Sequence, residues 1–392
     1  MNQQLSRRVQ GIKPSPTLAV SSRAAELRAA GKDIIGLGVG EPDFETPDHI
    51  KEAAIKAIHD GKTRYTAVDG TPELKQAVID KFARDNGFSY EPGQILVSCG
   101  GKQSFFNLAL ALLNPGDEVI IPAPYWVSYP DMVTIAEGVP VIVTTTRATR
   151  FKMGADQLEG AITDKTRLMV INSPSNPTGT AYDADELKAL AEVLLKYPDV
   201  MIATDDMYEH ILWPERSFVN ILNVCPDLYD RTIVLNGVSK AYSMTGWRIG
   251  YAGGPKALIA SMKKIQSQST SNPCSIAQAA AVAALSGPQA CVATMVQAFR
   301  QRHDHVAERL NRLPGVEVVN ADGTFYSFPD FSDVIATKGY QSDLELAESL
   351  LEAGVAMVPG SAFGAEGHMR LSFATSLEAL DKALDRLEVV IA

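Results

Sequence analysis

The chain has 392 residues, of which 46% are hydrophobic and 21% are charged, and its formal net charge is -10. This length and composition are typical of a globular protein with one large domain and a smaller one. The acidic balance argues against a general nucleic-acid or membrane-surface role, because both need a basic face.

The four cysteines are scattered, with no CxxC pair and no His/Cys ligand spacing. This pattern predicts a reducing compartment and no structural zinc site. His303 and His305 lie on a predicted helix and should diverge into solvent. The polar N-terminus lacks an apolar signal core, and no apolar run approaches the roughly 20 residues of a membrane span. We therefore expect a cytoplasmic protein with no metal site and no membrane or nucleic-acid partner.

The first part of the chain predicts an arm, a helix and a strand. The arm, GIKPSPT, leads into a helical pattern from Leu18 to Ala30. Residues 34–44, IIGLGVGEPDF, predict a strand that runs into a glycine-rich turn. A Rossmann dinucleotide site is disfavoured, because the spacing is GxGxG, no helix follows at once and no acidic residue is placed for a ribose. Thr46 and Pro47 predict the N-cap and first residue of a second helix.

Two glycines separate a predicted strand from a helix in residues 95–103, ILVSCGGKQ. A helix start preceded by glycines presents free N–H groups and a partial positive charge to an anion. Gly100 and Gly101 therefore predict a phosphate-binding turn. Lys102 is either a solvated lysine at a helix start or a ligand contact. Because a lysine there opposes the helix dipole, a functional reason is favoured.

Four further predicted strands end in loops that carry polar or aromatic residues, at Trp126, Asn176, Asp205 and Lys240. The strand interiors are rich in Val, Ile and Leu, which is typical of a mainly parallel sheet covered on both faces. Open α/β sheets bind ligands beyond the carboxyl ends of their strands. The sequence therefore predicts an α/β fold with its site at that edge.

Lys240 follows an apolar strand, and Arg248 lies in the loop beyond it. Neighbouring cations and partial burial would lower the pKa of this amine and prepare it to attack a carbonyl group. Asp205 lies at another strand end, where a carboxylate can make a charge-assisted hydrogen bond to a protonated ligand group. Asp206 should point the opposite way by strand alternation.

The last part of the chain predicts two long helices and then alternating strands and helices. The helices are expected at residues 268–286 and 292–313. Arg370 is the one arginine in a predicted apolar strand, HMRLSF. Its planar fork suits a carboxylate, and the alternative is a structural ion pair.

The run SKAYSMTGWRIG, residues 239–250, resembles the lysine motif of the class I aminotransferases, which are fold-type I pyridoxal-phosphate enzymes. The run NPTG at residues 176–179 is a second match. The resemblance extends from residue 5 to residue 374 and is closest to the bacterial aspartate aminotransferase subgroup that includes prephenate aminotransferases.

The resemblance implies a mainly parallel seven-stranded-type sheet in a large domain, with a smaller α/β domain built from both termini. The expected boundaries are residues 1–45 for the arm and part of the small domain, 46–300 for the large domain and 301–392 for the small C-terminal domain. A homodimer with shared active sites is also implied.

The resemblance implies that Lys240 is the catalytic residue and holds pyridoxal 5'-phosphate covalently. Further cofactor contacts are implied for Gly100, Gly101, Lys102, Trp126, Asn176, Asp205, Tyr208, Ser239 and Arg248, and for Tyr65 of the partner subunit. Substrate contacts are implied for Gly40, Trp126, Asn176, Arg370, Lys13, Thr17 and Lys102, the last three facing the distal carboxylate.

The expected reaction is ping-pong transamination between L-aspartate and 2-oxoglutarate. Prephenate is a close rival substrate, since its ring carboxylate could use the same contacts as the distal carboxylate of aspartate. A fold-type I lyase or decarboxylase would share the cofactor residues. A non-catalytic relative would be expected to lack a motif residue, and none is missing.

Overall fold

The computed structural model describes residues 5–392. Its α-helices are α1 (Arg7–Gln10), α2 (Pro16–Ala29), α3 (Asp48–His59), α4 (Pro72–Lys81), α5 (Gly101–Leu112), α6 (Ser128–Ile135), α7 (Ala155–Ala161), α8 (Ala184–Leu195), α9 (Ile221–Val224), α10 (Lys256–Ser267), α11 (Ser275–Ser286), α12 (Ala290–Leu310), α13 (Ser332–Lys338), α14 (Asp343–Glu352) and α15 (Leu377–Ile391). Its strands are β1 (Ile35–Gly36), β2 (Ile95–Ser98), β3 (Glu118–Ala123), β4 (Val139–Thr144), β5 (Thr166–Asn172), β6 (Met201–Asp205), β7 (Thr232–Gly237), β8 (Gly250–Gly253), β9 (Tyr326–Ser327), β10 (Val355–Ala356), β11 (Val358–Pro359) and β12 (Met369–Ser372).

A seven-stranded sheet forms the centre of the molecule, in the order β2-β8-β7-β6-β5-β3-β4. Strand β8 runs antiparallel to both of its neighbours, and the other pairs are parallel. The register pairs Asn172 of β5 with Asp205 of β6, so these two strand ends lie side by side. The predicted α/β fold with a mainly parallel seven-stranded sheet is confirmed.

Both faces of this sheet are buried except at the edge strand β4, which explains why its inner strands lack polar alternation. In β5, Leu168 and Val170 pack into one apolar cluster with α5, α6 and α10. Met169 and Ile171 point into the opposite cluster, which includes side chains of α4, α8 and α11. Each such side chain contributes about 1.5–3 kcal/mol on burial. This double burial fixes the register, since a slip of one residue would exchange the two faces.

A second, smaller group of strands brings the two ends of the chain together. Strands β11, β12 and β9 form an antiparallel sheet, and β1 pairs in parallel with β10. Residues near the N-terminus thus complete a unit whose other strands lie beyond residue 325, as expected for a smaller domain built from both termini. The domain boundaries themselves stay a prediction.

Three local predictions were wrong. The helix expected at residues 268–286 begins at Ser275, because Pro273 cannot continue a helix and the residues before it form a turn. Thr46 does not cap α3. Its hydroxyl donates to the Ser243 carbonyl at 2.6 Å and accepts from the Trp247 indole at 3.0 Å. His303 is buried, and its Nε2 accepts from the Ala321 amide at 3.1 Å.

Within residues 5–392, no single helix is long and apolar enough to cross a membrane. Helices α11 and α12, bent by 81° at their junction, satisfy the length and composition criteria only as a pair.

Gly250 of β8 lies against the turn that precedes α5, and a Cβ atom there would overlap the backbone of Gly100 and Gly101. We expect Gly250→Ala to lower the free energy of unfolding by about 1–3 kcal/mol, the usual cost of overpacking. The control is Gly160→Ala in α7, where an added Cβ meets nothing within 4 Å. That change should be neutral or stabilising by up to about 1 kcal/mol. Urea unfolding of both variants checks this prediction, and equal midpoints would contradict it.

Candidate active site

A cavity of about 280 Å³ opens at the carboxyl edge of the large sheet. Its wall combines strand-end loops of that sheet with residues from the N-terminal arm and from the small sheet. Most of the predicted site residues line it, namely Thr17, Gly40, Gly101, Lys102, Trp126, Asn176, Asp205, Tyr208, Ser239, Lys240, Arg248 and Arg370.

Three predicted site residues lie outside this wall. Gly100 is immediately behind it with φ +90°, and a Cβ atom there would collide with the guanidinium of Arg248. Lys13 is exposed on the arm. Tyr65 is 91% exposed and lines a separate groove between α3 and α11. The site roles of Lys13 and Tyr65 stay predictions.

The Lys240 side chain reaches into the cavity from the loop after β7. Its Nζ donates to the Gly40 carbonyl at 2.6 Å. Burial lowers the pKa of this amine to about 8, and the positive charges of Arg248 and Arg370 act in the same direction, against the opposing effect of Glu41. The predicted direction of this shift is confirmed. A large fraction of the amine is therefore neutral and nucleophilic near pH 8.

Asp205 ends β6 beside Asn172. Its Oδ2 accepts from the Tyr129 hydroxyl at 2.5 Å, and its Oδ1 accepts from the Met207 amide at 3.3 Å. Burial raises the pKa of Asp205, while the Tyr129 hydrogen bond opposes that shift. Asp206 faces the other side of the strand, where it accepts from the Asn220 amide group at 2.7 Å, as alternation predicts.

Arg370 is 2% exposed, yet no carboxylate lies within salt-bridge distance of it among residues 5–392. Its Nη1 donates to Asn176 Oδ1 at 2.8 Å, and its Nη2 donates to the Gly38 carbonyl at 2.7 Å. Its Nε has no partner. A buried cation without a counter-ion is costly. The structural ion pair is therefore excluded for the described residues, and a carboxylate ligand is favoured.

Two aromatic rings orient this arginine. The guanidinium carbon lies 4.5 Å from the Tyr326 ring centroid and 4.9 Å from that of Phe363. The Tyr326 hydroxyl is also 2.9 Å from the Tyr208 hydroxyl. Stacking on aromatic faces stabilises a guanidinium while leaving its edge free for hydrogen bonds.

The glycine turn before α5 has the geometry of an anion site. The amides of Gln103 and Ser104 donate to the Gly100 carbonyl at 3.0 and 3.3 Å. The amides of Gly101 and Lys102 precede these first helical bonds and are free to face an anion. Arg248 stands beside the turn, and its Nη1 donates to the Thr245 carbonyl at 2.9 Å.

Lys102 lines the cavity and is also exposed to solvent. Its Nζ lies 5.2 Å from the centre of the Trp126 ring. Partial burial lowers the pKa of this amine, and the nearby charge of Arg248 adds to the effect. The ligand contact of Lys102 stays a prediction, and the alternative of a solvated lysine stays open.

Sequence reasoning missed three residues of the site. Asn172 donates to the Asp205 carbonyl at 3.1 Å and accepts from the Asn176 amide at 2.9 Å. Asn172 stands at the end of an apolar strand, and this position could have identified it from the sequence. Tyr129 and Tyr326 contact the site through hydroxyl groups, and neither lies in a motif that marks it.

These groups together suit a molecule with an aldehyde and one anionic group, bound beside a second molecule that carries a carboxylate. The amine of Lys240 suits the aldehyde, and the turn at Gly101 with Arg248 suits the anionic group. Arg370 suits the carboxylate of the second molecule, and Asp205 suits a protonated ring nitrogen.

Comparison with known proteins places the chain in a family. A family model described as aminotransferase class I and II matches residues 32–387. An aspartate/prephenate aminotransferase of Nitrosomonas europaea is 60% identical, covering 99% of this chain and 100% of that one. An aspartate aminotransferase of Geobacillus stearothermophilus is 51% identical, with 98% of each chain covered.

Solved structures agree with this assignment. An aspartate aminotransferase from Rhizobium meliloti superposes with a TM-score of 0.96 at 48% identity, covering 99% of this chain and 98% of that one. The Thermus thermophilus aspartate aminotransferase with maleate gives a TM-score of 0.94 at 46% identity, covering 99% and 100%. The predicted relationship is confirmed, and the chain belongs to the class I and II aminotransferase family.

Proposed function

We propose that this enzyme transfers the amino group of L-aspartate to 2-oxoglutarate, with pyridoxal 5'-phosphate as cofactor, to give oxaloacetate and L-glutamate. The observation that carries the proposal is the buried guanidinium of Arg370, which has no carboxylate partner among the described residues and shares a cavity with the Lys240 amine. An amino acid supplies the missing carboxylate and places its α-carbon near that amine.

The residues present fit the cofactor. Gly101, Lys102, Ser239 and Arg248 would hold its phosphate, Asp205 its ring nitrogen, Tyr208 and Asn176 its 3-oxygen, Trp126 its ring face and Lys240 its aldehyde carbon. When bound, pyridoxal phosphate supplies an electrophilic carbon and an electron-withdrawing ring.

The protein's own groups divide the remaining work. Arg370 and Asn176 bind the substrate α-carboxylate and fix the orientation of the α C–H bond. Lys240, with its lowered pKa, accepts the proton from the substrate α-carbon and gives a proton back as the product forms. Asp205 holds a proton at the ring nitrogen, and the Tyr129 hydroxyl keeps that carboxylate in place.

Lys102 and Thr17 support a substrate with a second carboxylate, because both line the same cavity as Arg370. The solved relative from Thermus thermophilus carries maleate, which is a dicarboxylate. Prephenate is a second candidate substrate, favoured by the relatives named aspartate/prephenate aminotransferase at 60% and 54% identity.

A homodimer is part of the proposal. Tyr65 is highly exposed in the groove between α3 and α11, and α3 also exposes Ile55 and Ile58. A second copy that covered this apolar surface would remove it from water and bring Tyr65 to a neighbouring site. All four cysteines are free, which supports the predicted cytoplasmic location.

Lys240→Ala should abolish the absorption band of covalently bound cofactor, because it removes the amine that would hold the aldehyde carbon. In the wild-type apoprotein, the rate of cofactor attachment should rise with pH around a midpoint of about 8 and then level off, since only the neutral amine attacks. Absorbance spectra and stopped-flow mixing across pH 6–10 measure both effects. Lys188→Ala, an exposed lysine of α8, is the control. A retained band in the Lys240 variant would refute the assignment.

Arg370→Lys should reduce kcat/KM for aspartate by about 10- to 100-fold, because an ammonium cannot replace two guanidinium hydrogen bonds to a carboxylate. Steady-state kinetics measure this loss. Arg23→Lys on the exposed face of α2 controls for the loss of any arginine. Unchanged kcat/KM in the Arg370 variant would remove the central support of the proposal.

Lys102→Ala should lower the preference for aspartate over alanine, because the second carboxylate loses its cation. The measurement is kcat/KM for both amino acids. Oxaloacetate and prephenate are compared as acceptors of the amino group. Keto-acid and carbon dioxide are assayed as products, and release of carbon dioxide would indicate a lyase or decarboxylase in place of an aminotransferase. A variant that keeps the full dicarboxylate preference would refute the role of Lys102.

A further inference from the structure

A buried ion pair lies behind the strand ends, on the side away from the cavity. It joins Lys81, the last residue of α4, to Glu209, which follows Tyr208 in the loop after β6. Lys81 is 0% exposed, and neither residue belongs to the cavity wall. Burying two charges costs free energy, so this ion pair must be offset by nearby interactions or have a role in the site.

Every polar atom of this pair is used. Glu209 Oε1 faces Lys81 and accepts from the Asn236 side chain at 2.7 Å. Glu209 Oε2 accepts from Asn86 Nδ2 at 2.7 Å, and Lys81 Nζ donates to Asn86 Oδ1 at 2.7 Å. Burial alone would raise the pKa of Glu209, but the nearby positive charge of Lys81 and the hydrogen bond from Asn86 lower it. Glu209 is therefore a carboxylate in the folded protein.

The partners of Glu209 lie on the two segments that carry the chemistry. Glu209 itself extends the segment of Asp205 and Tyr208. Asn236 belongs to β7, which leads into Ser239 and Lys240, and its Oδ1 also accepts from the Gly237 amide at 2.7 Å. One carboxylate thus joins the exit of β6 to the exit of β7 and anchors both to α4.

We propose that Lys81 and Glu209 form a positioning pair. A side-chain oxygen of Glu209 holds the two strand exits together through Asn236 and so sets the separation between Asp205 and Lys240, while Lys81 balances the charge of Glu209. The inference rests on the proposed roles of Asp205 and Lys240. Neither Lys81 nor Glu209 lines the cavity.

Other charged groups around the pair determine what each substitution would do. Asp85 Oδ2 lies 3.9 Å from Lys81 Nζ, and His210 Nδ1 lies 3.6 Å from Glu209 Oε1. Asp206 is buried on the same side. Its burial raises its pKa, and repulsion from Glu209 adds a smaller effect in the same direction. Removing one member of the pair therefore leaves a buried charge unpaired, which destabilises the fold whatever the role of the pair.

The test accordingly compares two double variants that leave no unpaired charge. Lys81→Met/Glu209→Gln keeps a side-chain oxygen for Asn236, whereas Lys81→Met/Glu209→Leu removes it. We expect the Gln form to stay close to wild type in kcat. The Leu form should lose about 10- to 100-fold in kcat, the usual cost of misplaced catalytic groups, with a nearly unchanged KM for aspartate.

A second readout does not depend on turnover. Titration of the apoprotein with pyridoxal phosphate should show weaker binding in the Leu form than in the Gln form, because Asp205 and Lys240 no longer face the cofactor together. Lys75→Met on the same helix breaks the ion pair with Asp69 and is the control, since it should lower Tm without changing kcat or cofactor binding.

Asn236→Ala provides the same test if the Leu form does not fold, because it breaks the link from the β7 side and leaves the ion pair intact. Equal kcat and equal cofactor affinity in the Gln and Leu forms, or wild-type values in Asn236→Ala, would overturn the proposal. All kcat values and cofactor affinities are expressed as ratios to those of the wild type. An inactive wild type would instead refute the proposed function, and the binding titrations would still test the positioning pair.

Discussion

The parallel register of β5, β6 and β7 is the constraint on which the rest of the site depends. Because these strands run in the same direction and are buried on both faces, their carboxyl ends meet at one edge, with Asn172 beside Asp205. The loops beyond that edge can carry polar side chains. The apolar strands thus determine where an amine, a carboxylate and an amide come together.

The cavity is cationic although the chain as a whole has a net charge of -10. Lys102, Lys240, Arg248 and Arg370 all line it, and Asp205 is the acidic residue that faces them. Burial lowers the pKa values of Lys102 and Lys240, and repulsion from Arg248 adds to the effect at both amines. The same field that attracts anionic ligands therefore also produces a nucleophilic amine.

The strand ends serve two sides of the sheet. Asp205 and Tyr208 face the cavity, whereas Asp206 and Glu209 are buried behind it among amide side chains and Lys81. Side-chain alternation assigns Asp205 and Asp206 to opposite environments, whereas Tyr208 and Glu209 lie in the turn beyond the strand. The geometry of the cavity thus depends on a polar layer that no ligand would contact, and packing on that layer limits how far the two strand exits can move.

The sequence by itself determined the sheet and the residues in its strand-end motifs, because double burial produces uninterrupted runs of Val, Ile and Leu that end in polar loops. The tertiary structure alone decided what those residues contact. Tyr129 bonds Asp205 across 76 residues, and Tyr208 meets Tyr326 across 118. Such pairs leave no local pattern, since their spacing in the chain is unrelated to any helix or strand period. The same reason explains why burial of His303, the contacts of Thr46 and the lack of a counter-ion for Arg370 within residues 5–392 emerged only from the fold.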